Sequence, residues 1–218
     1  MSLSPGLRQA PKFKKWVADL LEQGLKIHEI QEVFTRSKHD GDLLFAMLML
    51  DATTPEGDKI PPVCFMKGQV VSIMVLLIDE ATGERFLLLV KQRRICNGGL
   101  IYEQVAGMVD GDDDPHEVAV REVEEETGLK VTPEQVISLN AEPYWVSTGT
   151  SEEAMFFYYC ALTLDRASIE ALDGNQMGVI SEHERIHTEV VPYAKARHLI
   201  TNANGILNMF LYEEQQAG

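Results

Sequence analysis

Apolar residues first recur at helical spacing. Phe13, Trp16, Val17, Leu20 and Leu21 fall on one side of a wheel drawn through residues 12–23, which predicts a short amphipathic helix. The period then drops to two. Residues 27–35 alternate, residues 43–50 are apolar throughout, and the polar stretch 37–42 between them reads as a turn, so a β-hairpin is predicted. Pro55, Gly57, Pro61 and Pro62 break the pattern and place a boundary after residue 62. Beyond it, 69–78 and 86–92 read as buried strands joined by a turn at 79–83, and 102–105, 136–142 and 155–162 as further strands, with Val190 and Val191 closing the sheet. A helix is predicted over 115–127, opened by Pro115 and stopped by Gly128, a natural left-handed cap. Residues 192–198 and 203–215 read as helices. Strands on both sides of a central helix predict an α/β (α+β) fold, a mixed sheet sandwiched by helices over residues 63–218, behind a small helix-and-hairpin domain over residues 1–62.

Composition narrows the choice of partners. Of 218 residues, 45% are hydrophobic and 24% charged, an ordinary globular balance. The net charge of −15 repels nucleic acid, and no dense basic run offsets it. The same field means that an anionic substrate needs a cation to bind. The longest apolar run, 43–50, is far too short to span a membrane, and the first twenty or so residues lack a signal-peptide core. Cys64, Cys96 and Cys160 are odd in number, widely spaced and without zinc-site spacing, so they read as reduced thiols of a cytoplasmic protein.

The densest chemistry lies in the predicted central helix, Arg121-Glu122-Val123-Glu124-Glu125-Glu126-Thr127-Gly128-Leu129. A helix turns ~100° per residue, so Glu122 and Glu126 share a stripe and Glu125 flanks it, while Ala119, Val120 and Val123 lie on another arc. Stacked like charges cost about 0.2–0.5 kcal/mol per pair, a penalty removed by a divalent cation held among them. The plain alternative is a solvated acidic face with Arg121 paired to Glu125.

The flanks favour the metal. Gly107, five residues, Asp113, seven residues, Arg121-Glu122-Val123, one residue, Glu125-Glu126, one residue, Gly128-Leu129 resembles the signature box of the Nudix hydrolases, which cleave nucleoside diphosphates linked to another moiety. Asp113 stands where that family usually has glutamate. The resemblance implies an α/β/α sandwich, with Mg²⁺ (Mn²⁺ as the alternative) held by Glu122, Glu126, Glu125 and the backbone carbonyl of Ala106, and Arg121 orienting the glutamates. Gln92-Arg93-Arg94 and Glu103-Gln104-Val105-Ala106-Gly107 look like the corresponding stretches of the ADP-ribose and ADP-sugar pyrophosphatase branch. That branch implies Arg94 on the pyrophosphate and Glu103 paired with it or reaching the metal.

Residues 147–153 resemble the branch's substrate loop, with Thr148 in place of proline and Glu152 and Glu153 available to substrate. A proline that ADP-ribose enzymes often carry sixteen residues beyond the box is replaced here by Trp145. Trp145 or Tyr144 would stack on a base or pack in the core. Residues 181–186 resemble the loop that supplies the general base, which makes Glu182 or Glu184 the candidate, ahead of His183 and with Glu152 and Glu153 next. The N-terminal hairpin resembles a domain by which the branch dimerises, so a homodimer is expected. The expected activity is metal-dependent hydrolysis of an ADP-ribose- or ADP-glucose-class nucleotide sugar to AMP and sugar phosphate. A Nudix hydrolase of another nucleotide (GDP-sugar, dinucleoside polyphosphate or nucleoside triphosphate) and a non-catalytic nucleotide sensor are the alternatives.

Overall fold

A computed structural model of the chain describes residues 3–38, 41–109, 113–178 and 185–218. The chain divides into two compact units, Met1–Gln69 with Val109–Asp113 and Tyr144–Met155, and Val70–Met108 with Asp114–Pro143 and Phe156–Gly218.

The first unit opens with two helices, α1 (Pro5–Gln9) and α2 (Pro11–Glu22), each with proline in its first turn, where the missing N–H has no helical partner to lose. A three-stranded sheet follows in the order β1 (Lys26–Ser37), β2 (Leu43–Thr53), β3 (Val63–Met66). The predicted hairpin is present, with Ile30 opposite Leu50 and Phe34 opposite Met47, but it is longer than the alternation suggests and gains a third strand. Pro61 and Pro62 lead straight into β3, and Leu50 N–H donates to the Pro62 carbonyl at 2.7 Å, which ties this stretch back to β2. β2 is therefore the central strand of the three, paired on both edges, with Ala46, Leu48 and Leu50 buried on one face and Met47 and Met49 exposed on the other. Ala46 and Leu48 pack against Leu7 and Phe13 of the helices, with Cys64 and Met66 of β3.

The second unit is built on a mixed nine-stranded sheet with helices on its faces. Its main path runs β11 (Gln176–Met177), β12 (Ile186–Pro192), β5 (Arg85–Arg93), β4 (Gln69–Asp79), β10 (Ala154–Leu164), β8 (Val136–Ser138). Two short strands attach to it, β6 (Leu100–Glu103) on β5 and β7 (Val105–Met108) on β4, while β9 (Tyr144–Trp145) pairs with Ala154 and Met155 at the start of β10, residues that fall in the first unit. The stretch 102–105, read above as one strand, is thus two strands with different neighbours, parted at Gln104.

Alternation along β4 assigns the faces. Met74 and Leu76 pack with Leu87 and Leu89 against Ala196 of α5 (Tyr193–Leu199) and Met209 and Tyr212 of α6 (Ala203–Ala217). Val71 and Ile73 therefore point to the opposite face. Gly107 and Val105 of β7 pair with them, and the central helix α3 (Pro115–Thr127) lies there. Cys64 and Cys160 are buried, Cys96 is exposed, and all three thiols are free. Among the described residues no helix is long and apolar enough to cross a membrane.

Candidate active site

The local signals in the sequence fix the position of α3. The Asp114 carboxylate caps it by accepting from the His116 N–H at 2.7 Å, and Pro115 opens it. Gly128 closes it at φ 75°, a left-handed conformation that favours glycine, and its N–H donates to the Glu124 carbonyl at 2.8 Å. Val118, Ala119 and Val123 are fully buried, and their burial sets the rotation of the helix.

That rotation carries Glu122 and Glu126 onto β7. Glu126 is only 5% exposed and accepts from the Ala106 N–H at 3.1 Å. Glu122 lies across Gly107 so closely that a Cβ built there would overlap its carboxylate. Glycine is thus the residue that leaves room for Glu122. Glu125 is exposed, and the Arg121 guanidinium stands 4.0 Å from the carboxylates of both Glu122 and Glu125. Glu124 points elsewhere, 3.5 Å from the Lys130 ammonium.

A second polar group forms beyond the end of β5. Arg94 Nε donates to Glu103 Oε2 at 2.6 Å, and Glu103 Oε1 accepts from Asn202 Nδ2 at 3.3 Å. Asn202 gave no signal in the sequence, since a lone asparagine before a helix reads as an ordinary cap. Its long separation from Glu103 hides the contact. Glu189 holds Lys91 at 2.9 Å and accepts from the Tyr102 hydroxyl at 3.3 Å, bracing the strand that carries Glu103.

Glu152 and Glu153 belong to the first unit. Glu152 accepts from the backbone N–H groups of Lys67 at 2.9 Å and Gly68 at 2.7 Å. Burial pushes its pKa up, more than those hydrogen bonds and the Lys12 charge pull it down. Glu153 pairs with the Lys67 ammonium at 2.6 Å. Glu182, His183 and Glu184 lie outside the described residues.

Among the described residues, no three His, Cys, Asp or Glu side chains are grouped so as to hold a metal ion by themselves. Two carboxylates pressed onto a strand whose glycine clears the space still suit a hard, oxygen-seeking cation, because Mg²⁺ usually completes its shell with water and substrate phosphate. The residues present therefore fit a divalent ion.

The acidic run lies within the stretch that a family model matches. The NUDIX domain model covers residues 68–207. This chain belongs to the Nudix family. Nudix hydrolase 14, chloroplastic, of Arabidopsis thaliana is 30% identical over 221 residues, a match spanning 94% of this chain and 70% of that protein. A solved structure described as an ADP compounds hydrolase has a TM-score of 0.59 at 17% identity and covers 89% of this chain and 95% of its own, a likeness of fold. Helix α3, which carries the acidic run, and β7, which it faces, both lie within the residues matched by the family model. The chemistry of the family is hydrolysis of a nucleotide-linked pyrophosphate, generally with a divalent metal.

Proposed function

We propose that the protein hydrolyses the pyrophosphate bond of a nucleoside diphosphate sugar, of the ADP-ribose or ADP-glucose class, to AMP and sugar phosphate. The observation that carries this reading is the pair Glu122 and Glu126 held on Ala106 and Gly107 by the buried face of α3. When bound, a Mg²⁺ or Mn²⁺ ion would neutralise phosphate charge and acidify a water. Glu122 and Glu126 would hold it, with Glu125 and the Ala106 carbonyl as further ligands and Arg121 steadying the carboxylates. Arg94, kept in place by Glu103, would bind phosphate oxygens through its remaining guanidinium donors. Glu182 or Glu184 would take the proton of the attacking water, with Glu152 or Glu153 next in line. The likeness in fold to an ADP compounds hydrolase agrees with an adenine nucleotide as substrate.

We further place the protein in a reducing, cytoplasmic compartment, from its three free thiols, and assign it a homodimer built through residues 1–62.

The test is a panel of nucleotide sugars with Mg²⁺ and chromatography of the products. AMP plus sugar phosphate from an ADP-sugar is expected, and Glu122→Gln and Glu126→Gln should each lower kcat by roughly 10²-fold or more while the fold persists. Glu182→Gln and Glu184→Gln, made separately, should include one variant slowed by about 10²–10⁴-fold with KM little changed. Full turnover in both box variants would overturn the metal assignment.

A further inference from the structure

Helix α6 starts at an asparagine whose side chain does not serve the helix. Asn202 is the N-cap residue, extended at φ −90° and ψ 141°, and an asparagine there ordinarily accepts from an N–H of the first turn. Its amide makes no such bond. Oδ1 is buried and has no partner among the described residues, while Nδ2 donates to Glu103 Oε1 at 3.3 Å. A flipped amide would set Oδ1 against a carboxylate, acceptor against acceptor, so Nδ2 belongs on that side.

The surroundings hold this arrangement. Ile200, two residues earlier, is 4% exposed and forms a parallel bridge with Tyr102, the neighbour of Glu103 in β6. Gly205, the third residue of α6, is buried, and a Cβ built on it would come within 2.7 Å of both Asn202 Oδ1 and Ile200 Cγ2. An unmade cap, an unpartnered buried oxygen and a helical glycine each weaken the start of α6. What they preserve is one hydrogen bond, to Glu103.

Glu103 is thereby gripped at both oxygens, Oε1 by Asn202 and Oε2 by Arg94 Nε at 2.6 Å, and its side chain is 14% exposed. A carboxylate held at one oxygen swings about its last torsion, which has no sharp preference of its own. Held at both, it is a fixed seat for the guanidinium, whose Nη groups are left for phosphate. We propose that Asn202 is a positioning residue for the phosphate-binding arginine: it fixes Glu103, and through Glu103 it aims Arg94. The inference rests on the reading of Arg94 as a pyrophosphate ligand and names what holds that ligand in place.

Two substitutions keep the cap and remove the donor. Asn202→Asp puts a carboxylate opposite Glu103, and Asn202→Ser puts there a neutral hydroxyl too short to reach it, while aspartate and serine cap a helix as well as asparagine does. With an ADP-sugar as substrate, KM should rise about tenfold or more in Asn202→Asp and about threefold or more in Asn202→Ser, with kcat little changed. Calorimetry with methylenediphosphonate, a pyrophosphate mimic that resists hydrolysis, should show the same losses of affinity in the presence of Mg²⁺. Arg94→Ala should weaken both readouts, and Asn202→Asp added to it should weaken neither further. Unchanged KM and affinity in Asn202→Asp, where Arg94→Ala weakens both, overturns the proposal and leaves the role of Arg94 standing. A loss in Asn202→Asp with none in Asn202→Ser marks charge repulsion alone and also overturns it. So does a full further loss in the Arg94→Ala background, since Asn202 then acts elsewhere. No loss in Arg94→Ala overturns the positioning role together with the arginine's. Weakened methylenediphosphonate binding in all three single variants of a chain that hydrolyses no ADP-sugar sinks the substrate reading and upholds the positioning role.

Discussion

Gly107 and Glu122 compete for one volume, and the competition is resolved by the absence of a side chain. Gly107→Ala should therefore act on the site rather than on the sheet. The methyl pushes the Glu122 carboxylate aside, and kcat is expected to fall by roughly 10²-fold, the scale of an ångström-sized misplacement, with Mn²⁺ binding weakened by calorimetry. A charge remote from this site makes a different prediction. The Asp79 carboxylate is buried, which alone would raise its pKa, but N–H donors from Thr82 and Ala81 and the Arg166 guanidinium at 2.6 Å outweigh burial and hold it below its ordinary value. A depressed carboxylate pKa adds stability above the unfolded-state value of about 3.9 and loses it as pH falls through the folded value. Asp79→Asn should thus melt lower than the native chain at pH 7, and the gap should close as the pH is taken well below 3.9. Thermal melts at the two pH values measure it.

At the level of elements, the cap that ends α3 is the most exposed to single changes. Gly128→Ala forces a Cβ into the left-handed region and should cost about 1 kcal/mol in urea unfolding, with turnover reduced only as far as the last turn frays around Glu126. This helix was fully legible in the sequence because its signals are local: Pro115, the apolar arc and Gly128 sit within one another's reach. Elements defined by distant partners were not. Strand β3 is four residues long behind two prolines and exists through its pairing with β2. The split at Gln104 follows from β6 and β7 choosing different neighbours, which no periodicity records. Helix α1 is too short to show a period. At the site, spacing alone put Glu122 and Glu126 on one stripe, and the Glu103–Arg94 pair lay among the readings the resemblance allowed. The partners of Glu152 and Glu153 were out of reach, since Lys67 lies 85 and 86 residues away from them.

For the whole molecule, the outer face of the three-stranded sheet predicts assembly. Register places Phe34, Met47, Phe65, Met49 and Val63 on one side, with Phe45 stacked on Phe65 at 5.6 Å. Phe34 is 56% exposed, and Met47, Met49 and Val63 are also open. An apolar sheet face of this extent invites a second copy. Light scattering should report a dimer at micromolar concentration, and Met47→Lys with Met49→Lys should shift it to monomer. Stable monomer in the native chain would refute the assignment.

The thiols supply an unplanned instrument for that question. Burial pushes Cys64 and Cys160 to a pKa of about 12, and only a thiolate attacks a maleimide, so the exposed Cys96 is the one position a dye should take near neutral pH. The native sequence thereby carries a single reporter per chain, two residues from Arg94. In a dimer, identical dyes on the two chains would pass excitation between them and depolarise the emission. Dilution with unlabelled chains would restore the anisotropy at the rate at which subunits trade places.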